Sequence, residues 1–123
     1  MAAAIDISRQ TPLGAYPALD TFLAGDLVMA LTAAQTAADY NTFTCTGGET
    51  LVVWNSSTDT EYDLTIHSVV DDKGRTGDVV ETIQEQTIVA FRFTSKVGWA
   101  DSGTGKVTVQ GENAALKMFV LAK

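Results

Sequence analysis

His67 is the sole histidine and Cys45 the sole cysteine in a chain of 123 residues, so any base or thiol chemistry near neutral pH falls to these two. Together they could form a nucleophile and its base, but such a base must itself be held by a third group, and no local signature supplies one. His67 falls on the polar face of an alternating run, where a solvated ring is expected. Cys45 shares a face with Phe43 and reads as a small buried hydrophobe. One cysteine excludes an intramolecular disulfide and any multi-cysteine metal site. No cofactor, metal or catalytic residue is expected.

The densest charge cluster is Asp71-Asp72-Lys73-Gly74-Arg75-Thr76-Gly77-Asp78. It fails as a calcium loop because Lys73 and Arg75 stand where oxygen ligands are needed and no glutamate closes the pattern. It fails as a phosphate cradle because the GxxxxGK[ST] spacing is missing and no helix pattern follows. Two readings remain. In one it is a wide turn whose glycines supply positive φ while Arg75 pairs with Asp72 or Asp78. In the other it is a contact loop anchored by the Arg75 guanidinium. Asn55-Ser56-Ser57 matches a glycosylation sequon, but no signal-peptide pattern accompanies it. Gly98-Trp99 sets a large aromatic at a turn and reads as a core plug.

Lys and Arg number 8 against 15 Asp and Glu, a net charge of -7, and no stretch concentrates the basic residues. That balance disfavours a nucleic-acid groove. With 46% hydrophobic and 19% charged residues the chain belongs to the globular class, and its length suits one domain. No apolar run approaches the roughly 20 residues that span a bilayer, so a soluble chain made in the cytoplasm is expected.

The elements that must position these residues follow from periodicity. Residues 1–25 carry both prolines, Pro12 and Pro17, and read as an extended N-terminal arm. Its spaced apolar residues, among them Ile5, Ile7, Leu13, Tyr16 and Phe22, must find a core elsewhere, on their own domain or on a neighbouring subunit. Residues 26–123 form the body, expected to fold without the arm. Strands are predicted at 26–32, 41–46, 49–55, 61–70, 79–84, 87–93, 106–110 and 114–121, with a helix through Ala38 as the alternative for the first. Eight strands make the body all-β, a single-domain β-sandwich or jelly roll. Two runs are apolar on both faces: Leu51 and Val53 against Val52 and Trp54, and Leu116, Met118 and Val120 against Phe119 and Leu121 beside Lys117. A strand clothed on both sides has something covering its second side, either the arm or another copy, and a homo-oligomer is expected.

Thr11-Pro12-Leu13 with Pro17 after it, Asp72-Lys73-Gly74-Arg75-Thr76-Gly77-Asp78, Gly98-Trp99 and the closing apolar strand together resemble small head decoration, or capsid cement, proteins of tailed double-stranded DNA bacteriophages. The resemblance runs over nearly the whole chain, and Gly74 to Asp78 is its most specific part. Where such proteins often carry a proline before the Gly-Trp pair, this chain has Ser95-Lys96-Val97. The resemblance implies a self-associating β-sandwich or jelly-roll subunit, commonly a trimer, on the outer surface of the virion. It would bind the major capsid protein between capsomers of the expanded capsid, without catalysis, cofactor, nucleic acid or membrane. Candidate capsid or subunit contacts are Ile5, Arg9, Pro12, Leu13, Tyr16, Pro17, Arg75 and Phe119. The rival reading is a carbohydrate-binding or adhesive β-sandwich with Trp54, Trp99 or Tyr62 as stacking platform.

Overall fold

The structure, a computed structural model, describes residues 4–10, 31–36, 40–71 and 73–121. Among these there is no helix, and the chain is all-β. Its strands are β1 (Ile5–Asp6), β2 (Arg9–Gln10), β3 (Thr32–Ala33), β4 (Asn41–Thr44), β5 (Glu49–Asn55), β6 (Tyr62–Ile66), β7 (Val79–Ile83), β8 (Ile88–Phe93), β9 (Lys106–Gly111) and β10 (Leu116–Leu121).

Period-two patterning decides which side of each strand is buried. In β5 every odd-numbered residue from Glu49 to Asn55 is buried while Thr50, Val52 and Trp54 are half-buried. In β9 Val107 and Val109 point inward and Lys106, Thr108 and Gln110 outward. The inward residues of both sheets close one core around Leu51, Val53, Leu64, Val107, Leu116 and Met118, all at most 1% exposed. Each such side chain contributes about 1.5–3 kcal/mol by leaving water. Phe43, Phe93 and Trp99 continue the core as an edge-to-face series, with centroids 5.3 and 5.8 Å apart.

The pairing is nested. β3 pairs with β10, β4 with β9, β5 with β8 and β6 with β7, all antiparallel. Contacts of β10 with β5 and of β9 with β6 then join these pairs into two sheets. We call them the β10 sheet (β3, β10, β5, β8) and the β9 sheet (β4, β9, β6, β7). A long hairpin rolled up in this way is the strand arrangement of a jelly roll. The amino-terminal strands extend both sheets, β1 lying parallel to β4 and β2 parallel to β10. Between them the chain crosses from one sheet to the other, burying Ile7 at 4% exposure. Residues 5–10 are thus bound to their own body.

Gly111 ends β9 against Ala34, the residue that follows β3. A Cβ there would stand 2.5 Å from the Ala34 Cβ, a distance real side chains do not tolerate.

Five predicted strands are shorter in the structure, three of them by two residues or more, and the ends of two have a visible cause. The run 41–46 stops at Thr44 because the Thr46 amide donates to the Glu49 carboxylate instead of a ladder partner. The run 61–70 stops at Ile66: His67 makes one more ladder bond to Thr108, but the Ser68 amide turns to Asp78 and the Val69 amide to Gly98. Of the first predicted strand, 26–32, the structure describes Thr32 within β3; residues 26–30 lie outside the described residues, as do 37–39.

Candidate functional site

The outer face of the β10 sheet is assembled from three strands in register. Its cross-strand rows are Lys117–Trp54–Ile88, Phe119–Val52–Ala90 and Leu121–Thr50–Arg92. Leu31, Val52, Trp54, Ile88 and Phe119 line an apolar recess of about 360 Å³. Phe119, one of the candidate contacts, is 7% exposed at its floor, whereas Ile88 at 65% and Leu31 at 42% stand open on its rim. The Lys117 ammonium lies 5.9 Å from the centroid of the Trp54 ring, a cation–π contact. No carboxylate occupies any of the nine row positions, and the charged ones are Lys117 and Arg92. In a chain of net charge -7 this face is locally basic.

The outer face of the β9 sheet differs in kind. Thr42, Thr44, Thr65, Thr82 and Thr108 alternate outward with Asp63, Lys106 and Gln110, and Val80 is its exposed apolar residue. His67 is bridged rather than freely solvated, a correction to the sequence reading. Its Nδ1 lies 3.0 Å from Asp78 Oδ2 and its Nε2 2.8 Å from Gln110 Oε1, and Tyr40 stacks on the ring. The Asp78 carboxyl is held below the usual range chiefly by the Ser68 amide, with His67 adding to it. Cys45 lies in the core at 2% exposure, where burial pushes the thiol pKa up. Its polar neighbours are Gly47 and Glu49. Thiol and imidazole therefore sit on opposite sides of the β9 sheet, and the spacing-permitted pair is not assembled.

Arg75 pairs with Asp71, not with the expected Asp78. Asp71 Oδ1 accepts the Lys73 and Arg75 amides at 2.8 Å each, and its Oδ2 accepts from Arg75 Nε at 2.9 Å. These amides, the Arg75 one foremost, lower the Asp71 pKa. Asp78 is already engaged by His67 and Ser68, and Asp72 lies outside the described residues. Gly74, at φ 73°, makes the turn that brings Arg75 back onto Asp71. The loop leans on the Gly98–Trp99 turn through the bond from the Val69 amide to the Gly98 carbonyl, so two separated sequence features meet here.

Of the arm residues, Ile5 is 44% exposed on β1. Arg9 is committed to the body: it donates to Glu49 Oε2 and to the Thr44 carbonyl, both at 2.9 Å. Glu49 is fully buried and also accepts from the Thr46 amide and hydroxyl. Burial alone would raise its pKa, but the bonds from Arg9 and Thr46 outweigh it and hold the carboxyl at about 2. Pro12, Leu13, Tyr16 and Pro17 lie outside the described residues.

Of the rings proposed as a sugar platform, Trp99 and Tyr62 pack against the core, and Trp54 faces outward. The sequon asparagine, Asn55, is fully buried and donates to the Thr60 and Ile83 carbonyls. Ile88, Leu31 and Glu49 were not singled out by sequence reasoning. Ile88 is signalled only by an outward apolar residue in an otherwise ordinary alternating strand. Among the described residues no group of three or more His, Cys, Asp or Glu side chains is placed to share a metal ion. No family model, curated protein or solved structure matches the chain.

Proposed function

We propose that this chain is a structural virion protein that binds the outer surface of an expanded phage capsid between capsomers, self-associates, and holds the shell against the pressure of packaged DNA. The choice of a capsid as target rests on the sequence resemblance carried by Thr11-Pro12-Leu13, the Asp72 to Asp78 loop and Gly98-Trp99. The observation that favours a binding role is the apolar outer face of the β10 sheet, where Ile88 and Leu31 stand exposed beside Trp54. A small domain with a closed core has no internal use for that face. A symmetric oligomer would engage several shell subunits at once, and avidity would multiply weak contacts by a factor on the order of 10² to 10⁴.

Electron microscopy of the purified protein with expanded, undecorated capsids tests this reading. Added density at fixed lattice positions, with a raised temperature of capsid disruption, is expected. Bare capsids at saturating protein would refute it, and binding to a glycan panel through Trp54 would favour the adhesive alternative.

A further inference from the structure

Resting on the self-association in that reading, we infer that the outer face of the β10 sheet docks a second copy of this chain, which presents the outer edge of its β7 strand. The contact is heterologous: face of one copy on edge of the next.

Charge argues against face meeting face. Lys117 and Arg92 are the charged residues among the face's nine row positions, so a two-fold contact would gather the positive charges of both copies around an apolar centre with no carboxylate among those positions. The β7 edge has the complementary character. Among the described residues β7 has a single sheet neighbour, β6, and four of its five residues are exposed. Val80, 60% exposed on the outer face, and Val79, 37% exposed on the opposite face, both border this open edge, flanked by Asp78, Glu81 and, in the following turn, Glu85. This edge is apolar with an acidic rim, where the face is apolar with basic residues at its margins.

The two surfaces also stand in a productive relation. β7 and β8 are consecutive strands at the ends of their respective sheets, so the β7 edge lies around a corner from the β10-sheet face. Surfaces on adjacent sides turn each successive copy and allow a ring to close, whereas surfaces on opposite sides build a filament.

Sedimentation of the full chain with two exposed-site variants tests the pairing. Ile88→Glu disables the face and Val80→Arg the edge. Each alone should sediment as a monomer at concentrations where the parent chain is oligomeric, with tenfold or more protein needed for half-assembly. An equimolar mixture of the two should give a dimer and nothing larger, because one junction remains intact. Ala90→Glu, on the neighbouring row, serves as the face variant if Ile88→Glu fails to fold. A monomeric parent chain overturns both the self-association and the inference. An oligomeric parent with unaffected variants keeps self-association but overturns this pairing. Oligomeric Val80→Arg beside monomeric Ile88→Glu means that face meets face, and also overturns it. An Ile88→Glu variant of unchanged mass but lowered Tm means that the face is covered by its own chain, which overturns the pairing as well.

Discussion

The buried carboxylate of Glu49 joins Arg9 of β2 to the body, and its titration should be visible in the stability of the whole protein. Its folded pKa of about 2 lies below the ordinary 4.5. The charged form is therefore the one the fold favours: its contribution is complete above about pH 4.5 and is lost as pH falls from there towards 2. Since Arg9 is 41% exposed, solvent screens the pair and the contribution is about 1–2 kcal/mol. Denaturant melts at pH 6 and pH 3 should show this loss in the parent chain and a smaller one in Glu49→Gln, itself less stable at pH 6. Gly111→Ala is expected to lower Tm clearly, since its new methyl would meet Ala34 and force the sheets apart. Arg75→Ala should leave the melt almost unchanged, because the ion pair it removes is exposed. None of the long-range partners was legible from sequence. Arg9 and Glu49 are 40 residues apart, and of the loop's aspartates the fold alone determines that Asp71 meets the converging amides of residues 73 and 75.

At the level of elements, strands bounded by turn residues were the most legible: the limits predicted for β5 agree with the observed ones, and those for β7, β8 and β9 differ by one residue. Ends were misjudged where a side chain competes with the ladder, as Glu49 does at Thr46 and Asp78 at Ser68. The two doubly apolar runs did point to the outer face of the β10 sheet. Ile88, the third side of that face, did not stand out, because one outward apolar residue is ordinary in any strand. The arm shows the limit of composition. Prolines mark it as irregular, yet β1, β2 and the buried Ile7 bind its first residues to both sheets. Removing residues 1–10 should therefore cost several kcal/mol, as Ile7 leaves the core and Glu49 loses its cation. A calorimetric scan that left Tm unchanged would show the body indifferent to these strands.

For the molecule as a whole, nested pairing sets the order in which contacts can form. β6 and β7 close the smallest loop, while β3 and β10 come from opposite ends of the body. Loop-closure entropy makes the outer pairs late, so folding in the millisecond-to-second range is expected. Stopped-flow measurements on Leu64→Ala and Met118→Ala would check it. The first should mainly slow folding and the second mainly speed unfolding.

The parallel alignment of β2 with β10 decides how the fold answers a pull on its chain. Arg9 faces Val120 and Gln10 faces Leu121, with the two strands running in the same direction. A pull applied through Ala4 and Leu121 draws such strands past one another along their length, straining their hydrogen bonds together instead of peeling them one at a time. The guanidinium clasp of Arg9 on Glu49 and Thr44 ties β2 to β5 and β4 as well. Tension between Ala4 and Leu121 thus meets resistance in shear where β2 lies along β10, a junction that yields all at once or not at all.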